Sequence, residues 1–148
     1  MANFLYVIAK TGLLDGSIDL NTHDIRCLLV MTNTTADTEN TKTTLSGFTT
    51  LDEMDGAGYT RQTLTGEAVA ADNTNNRGEF TASDITFASV SAGTRNVAGA
   101  ILYRHITNDT DAIPIAYIDT AGTLAFPFVP NGGSIKIAAN AQGLVQVG

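Results

Sequence analysis

The chain has 148 residues, and its 15 acidic and 8 basic side chains give a formal net charge of −7. This acidity disfavours binding to nucleic-acid phosphates, which are recognised through Lys and Arg. A single cysteine excludes an intramolecular disulfide and a cysteine-rich zinc site. The length predicts one domain over residues 1–148. With 43% hydrophobic and only 16% charged residues, the chain is expected to fold around a core.

The N-terminal segment 1–16 contains an apolar cluster that favours a short helix over an extended arm. Apolar residues follow one another from Phe4 to Ile8, Gly12 interrupts the pattern, and Asp15-Gly16 is a turn signal. The cluster is shorter than the roughly 20 residues of a membrane-spanning helix. It also lacks the basic region of a secretion signal. We therefore expect no membrane partner and synthesis in a reducing cytoplasm.

The composition and the spacing of apolar residues beyond this segment predict an all-β protein. Threonine is abundant and suits strands, while glycine and asparagine supply the turns between them. Extended segments are predicted, in chain order, at 17–20, 25–31, 61–71, 79–81, 85–87, 97–106, 113–118, 135–137 and 144–147. Pro114 predicts an edge strand or a bulge. About eight or nine strands separated by turns predict a compact β-sandwich or barrel-like domain of the jelly-roll or tulip type.

The segment 32–50 stands apart because it is rich in Thr, Asn and Asp. Its only large apolar residues are Leu45 and Phe48. A connection of this length is unusual inside a compact domain. We therefore expect a long surface loop here, either mobile or in contact with a partner.

No residue pattern predicts catalysis, a cofactor or a metal. His23 and His105 lack the spacing of a zinc site. The glycines at 56–58 lack the third glycine of a dinucleotide fingerprint. The turn at 72–76 does not lead to the glutamate that ends a calcium loop. The acidic segment 52–55 leaves acid–base chemistry open, but a solvated loop is the favoured interpretation. We expect no enzymatic activity.

Four stretches carry a resemblance to a known family. They are 51–64, 72–80 with 82–87, 113–119 and 129–133. In this order the chain resembles a family of tailed-bacteriophage virion proteins. These are small β-rich proteins of the head, several of which are decoration (cement) proteins on the capsid exterior. Similar modules also occur in tails, so a tail, fibre or baseplate component that binds a receptor is the alternative.

The resemblance implies a structural protein on the head surface of the virion that binds the phage major capsid protein and stabilises the shell. Family members commonly act as trimers whose N-terminal segments contact neighbours, which implies a homotrimer. The candidate contact residues are Phe4, Leu5, Tyr6, Val7, Ile8, Leu45 and Phe48. The N-terminal cluster has a second interpretation, in which it packs on the protein's own core as a first strand or helix.

Overall fold

The computed structural model describes residues 3–139 and 143–148, where short antiparallel strands dominate. The first elements are strand β1 (Phe4–Leu5) and helix α1 (Val7–Asp15). The other strands are β2 (Ile25–Met31), β3 (Gln62–Thr63), β4 (Ala68–Asp72), β5 (Arg77–Thr81), β6 (Ile85–Phe87), β7 (Val97–Arg104), β8 (Ile113–Ile118), β9 (Thr120–Ala121), β10 (Leu124–Ala125), β11 (Ile135–Ile137) and β12 (Val145–Val147). The all-β fold with a short N-terminal helix is confirmed. Residues 1–2 of the predicted arm or helix, and 140–142 of the predicted domain, lie outside the described residues.

A five-stranded antiparallel sheet in the order β1-β8-β7-β2-β3 forms the centre of the fold. Strands β2 and β7 are almost continuous apolar runs, and Cys27 lies opposite Leu102 in their register. Because side chains alternate between the faces of a strand, such runs need cover on both faces. Leu29 accordingly joins one core cluster, whereas Leu28 and Val30 join another.

The first face of the central sheet is covered by two smaller antiparallel sheets, which makes the fold sandwich-like. They are the three-stranded sheet β12-β5-β4 and the pair β11-β6. Phe80 from the first and Phe87 from the second belong to the same core cluster as Leu29. The large apolar side chains of these short strands therefore complete this half of the core.

The second face of the central sheet is covered by the segment 32–50. Leu45 and Phe48 are buried there with Tyr6. A turn of 3₁₀-helix over Leu45–Gly47 holds the segment in place, since the Leu45 amide donates to the Ala112 carbonyl over 3.0 Å. The segment is a loop without a strand, as predicted, but its apolar side chains cover the core.

Several strand boundaries differ from the prediction for local reasons. The predicted strand 61–71 is two strands, because Gly66 adopts a φ of 66° between them. The segment 17–20 buries Ile18 but is irregular instead of a strand. Pro114 does accompany a register shift between β7 and β8, which confirms the predicted bulge. The described residues contain twelve strands because pairings of only two residues, such as β9 with β10, leave little signal in a sequence.

Candidate interaction surfaces

The predicted N-terminal contact cluster packs mostly on its own chain. Tyr6 is fully buried and its hydroxyl donates a hydrogen bond of 2.8 Å to the Ala36 carbonyl. Phe4 is half-buried and stacks on Tyr117, with ring centroids 5.6 Å apart. Leu5 and Ile8 are half-buried, and Val7, 46% exposed, is the most accessible of the five cluster residues. This arrangement matches the second interpretation of the cluster, as a first strand and helix on the core.

The predicted contact residues of the 32–50 segment are also internal. Leu45 is buried, and Phe48 is 7% exposed with its ring centroid 5.5 Å from that of Tyr6. Their side chains fill the space over the central sheet, so they offer almost no surface to a partner. The two predicted contact segments thus meet each other in one core cluster.

A carboxylate fixes the polar part of the 32–50 segment. Glu39 accepts hydrogen bonds from the Thr35 hydroxyl (2.6 Å), the Thr49 amide (2.8 Å) and the Thr49 hydroxyl (2.6 Å). Lys42 lies 3.3 Å from the same carboxylate. The hydroxyl of Thr35 and the groups of Thr49 lower the pKa of Glu39 to about 2. The segment therefore has a defined structure, in which the Glu39 carboxylate connects Thr35 with Thr49.

A group of exposed apolar side chains lies elsewhere, at the end of the molecule where α1 meets the three-stranded sheet. We call it the α1–β12 face and define it by Leu13, Leu14, Val69 and Val147. A groove of about 430 Å³ is lined by Leu13, Val69 and Val147, among others, and a neighbouring depression by Leu14 and Val147. Leu14 is 88% exposed, Val69 57% and Val147 48%. This grouping of apolar side chains makes the face a candidate interaction surface.

The alternation of strand residues explains how the sheet contributes to this face. In the register of β4, β5 and β12, Val69 lies opposite Phe80, and Phe80 lies opposite Val145. Phe80 and Val145 are buried in the core, while Val69 and Val147 continue the same side of the sheet beyond it. The other side carries Arg77, which pairs with Asp72 and Glu79 over 3.0 Å each. One side of the sheet is thus apolar and the other is charged.

The sequence contained a signal for the helical part of this face. Neighbouring helix residues point about 100° apart, so a nine-residue helix with Leu13 and Leu14 in succession turns one of them away from the core. Leu13 packs on the core and Leu14 does not. The sheet part could not be found in this way, because it depends on how far the small sheet extends past the core.

An ion-pair network next to the central sheet includes Glu53. This residue belongs to the acidic segment 52–55, for which acid–base chemistry was left open. Arg61 donates to Glu53 over 2.7 and 2.6 Å and to Asp109 over 2.6 and 2.8 Å. The Tyr59 hydroxyl donates to Glu53 over 2.8 Å and accepts the Leu29 amide over 3.1 Å. Hydrogen bonding to Arg61 lowers the pKa of Asp109. The network ties the 107–111 turn to the sheet.

The other acids of the 52–55 segment have similar structural partners. Asp52 pairs with Arg95 and accepts the Asn33 amide over 2.8 Å, and the bond to Arg95 holds its pKa below the ordinary value. Asp55 accepts the amide and the hydroxyl of Thr94, each over 2.8 Å, and these bonds lower its pKa as well. Both side chains are thereby kept ionised, which opposes the role of a general acid.

The remaining reactive side chains also have structural surroundings. Cys27 is buried, and burial raises the pKa of its thiol, which makes it a poor nucleophile. His23 accepts the Asp19 amide over 3.0 Å at Nδ1. In the turn at 72–76, Asp72 accepts the amides of two following residues. Within residues 3–139 and 143–148, no group of three or more His, Cys, Asp or Glu could hold a metal ion.

No helix in the described part of the chain is long and apolar enough to cross a membrane. Comparisons with protein-family models, with curated proteins and with solved structures find no match to this chain.

Proposed function

We propose that the chain is a structural protein of a tailed-bacteriophage virion that decorates the outer surface of the head. In this role it binds the major capsid protein, associates with copies of itself and adds contacts that hold the shell together. We also propose that the chain resides on the virion and has no enzymatic role. The sequence motifs at 51–64, 72–80 with 82–87, 113–119 and 129–133 suggest the class of protein, and the α1–β12 face supplies a surface for the contact.

The observation that carries the proposal is the accessibility of the α1–β12 face. Leu14 projects from the last turn of α1 with 88% of its surface in solvent, beside Val147. Large apolar side chains placed together in this way gain free energy when a partner covers them. The surrounding fold is cross-linked by ion pairs and hydrogen bonds, so little conformational entropy is lost when the face binds.

Modest affinity suffices for a protein of this kind. A shell presents many equivalent sites, and copies that also contact one another bind with an avidity above that of each separate contact. The net charge of −7 favours a docking surface on the shell that is apolar or basic. Added salt should therefore have little effect on the apolar contacts at the centre of the interface. It should change the strength of the charged contacts at the rim.

Binding to particles tests the proposal. Particles of the phage that encodes the chain, grown without it, should recover it from solution and pellet with it. Leu14→Asp should weaken this binding by about 30-fold or more, because it places a charge at the contact centre. Val129→Asp is the matched control, since Val129 is an exposed valine (60%) outside the α1–β12 face. Both sites are exposed, so neither change should disturb folding.

Three outcomes would contradict the proposal. The first is absence of binding to heads, and the second is equal binding by the two variants. The third is labelling of the tail alone in electron micrographs, which would transfer the chain to the tail, fibre or baseplate alternative.

A further inference from the structure

We infer that strand β4 is a self-association edge, which pairs antiparallel with β4 of a second copy of this chain. The pairing would place the two copies about a two-fold axis that passes beside Ala70. It would join the two three-stranded sheets into one sheet of six strands. The inference rests on the geometry of β4 and not on the proposed attachment to a capsid.

Strand β4 is the outer strand of the three-stranded sheet, and β5 is the strand that pairs with it among the described residues. With five residues, it is longer than the other outer strands in this part of the chain, such as β1, β3 and β12. An outer strand leaves every second backbone N–H and C=O free to pair with another strand. β4 therefore offers the longest row of such groups that the structure describes.

The strand also lacks the features by which proteins usually protect such an edge. Natural edge strands carry Lys, Pro, bulges or inward charges that block pairing. The sequence of β4 is Ala-Val-Ala-Ala-Asp, and its pairing with β5 runs from Ala68 to Asp72 without a register shift. Its first four residues are exposed. Small side chains on a straight, open edge permit close approach of a second strand.

The placement of charges favours one register and the same chain as partner. When two antiparallel copies are centred on Ala70, all five residues find a partner, and Asp72 lies opposite Ala68 of the second copy. Glu67 then lies opposite Asn73 of the second copy, on the other side of the sheet from Asp72. Like charges therefore do not meet, whereas a shift of the centre to Asp72 would place two carboxylates together.

The apolar side of the sheet continues across this axis. Val69 and Ala71 point to the same side, so that Val69 lies opposite Ala71 of the second copy. The contact would thus cover Val69, which is 57% exposed in the single chain. A strand pair of five residues is only about 17 Å long. It is a smaller contact than a standard interface of about 1,600 Å², so we expect a weak dimer.

Cysteine cross-linking at two positions tests the register. In the Ala70→Cys variant the two thiols lie directly opposite each other, within reach of a disulfide. In the Ala68→Cys variant, on the same side of the same strand, the thiols are about 13 Å apart. The native thiol of Cys27 is buried and does not interfere. Under mild oxidation, Ala70→Cys should form covalent dimers at least about tenfold faster than Ala68→Cys.

Sedimentation of the purified chain gives a second measurement that needs no added thiol. At sub-millimolar concentration the native chain should show a weak dimer, and Ala70→Lys should weaken its association at least about tenfold. Ala125→Lys is the control, because Ala125 is an exposed strand alanine outside β4. Equal cross-linking rates, or association that Ala70→Lys leaves unchanged, would overturn the inference. A trimer that is insensitive to Ala70→Lys would do the same.

These results can be separated from those of the particle-binding experiment. Loss of dimers with intact binding to heads would remove the β4 contact and leave the proposed function in place. Dimers in a chain that does not bind heads would support the β4 contact and contradict the proposed function.

Discussion

Replacing Phe48 with alanine tests whether the 32–50 segment is part of the core. In the structure its ring is 7% exposed, lies over the central sheet and contacts Tyr6. If the segment were a contact surface for a partner, the side chain would be exposed in the isolated chain. The two arrangements predict different costs for the same substitution.

The expected cost follows from the burial of the ring. A phenylalanine side chain buries roughly 200 Å², and at about 25 cal/mol per Å² this corresponds to about 5 kcal/mol. A compact unfolded state lowers the figure by about 10–40%, to about 3–4.5 kcal/mol. This range agrees with the about 3–5 kcal/mol typical of Phe→Ala substitutions in cores. An exposed residue would instead change stability by less than about 0.5 kcal/mol.

Urea unfolding followed by circular dichroism measures the difference, with Phe48→Ala compared with Val129→Ala. Val129 is 60% exposed, so its truncation serves as the control and should leave the unfolding midpoint nearly unchanged. Unfolding of both variants at the same urea concentration as the native chain would show that Phe48 is not part of the core. A loss confined to particle binding, with unchanged stability, would restore Phe48 as a contact residue.

Three further changes test other contacts. The folded state favours ionised Glu39, so its contribution should be complete above its ordinary pKa near 4.5 and fade as the pH falls towards 2. Glu39→Gln should reduce the slope of melting temperature against pH in that window, and an unaltered slope would count against the carboxylate. Arg61→Met should cost about 1–3 kcal/mol in urea unfolding, because it leaves two partly exposed carboxylates, Glu53 and Asp109, without their cation. In Gly56→Ala, the added methyl would overlap the backbone carbonyl oxygen of Ser91. Thermal unfolding should therefore show that the free energy of unfolding falls by about 1–3 kcal/mol. A neutral result would mean that this backbone can move.

The sequence predicted those parts of the fold that depend on local pattern. The strand Ile25–Met31 has the predicted bounds, because six apolar residues among seven indicate a strand covered on both faces. An edge strand or a bulge was predicted at Pro114 for a similar local reason, since proline cannot donate to a sheet, and the structure shows the bulge, in a strand that pairs on both sides. In these cases the cause lies within a few neighbouring residues.

Features that depend on distant contacts could not be predicted in this way. Leu45 and Phe48 stand alone in a polar segment, and only the uncovered second face of the central sheet explains their burial. The exposure of Val69 likewise depends on where the small sheet extends beyond the core. For this reason, the apolar residues chosen as contacts from the sequence lie mostly inside, and the apolar face lies at the end of α1.

The central claim is that the chain is built to attach to a phage head. A cryo-electron microscopy reconstruction of native particles, together with quantification of the chain in them, tests it most directly. We expect many copies on the outer surface of the head, with the α1–β12 face turned towards the major capsid protein. Particles that contain no copies, or only a few confined to the tail, would contradict it.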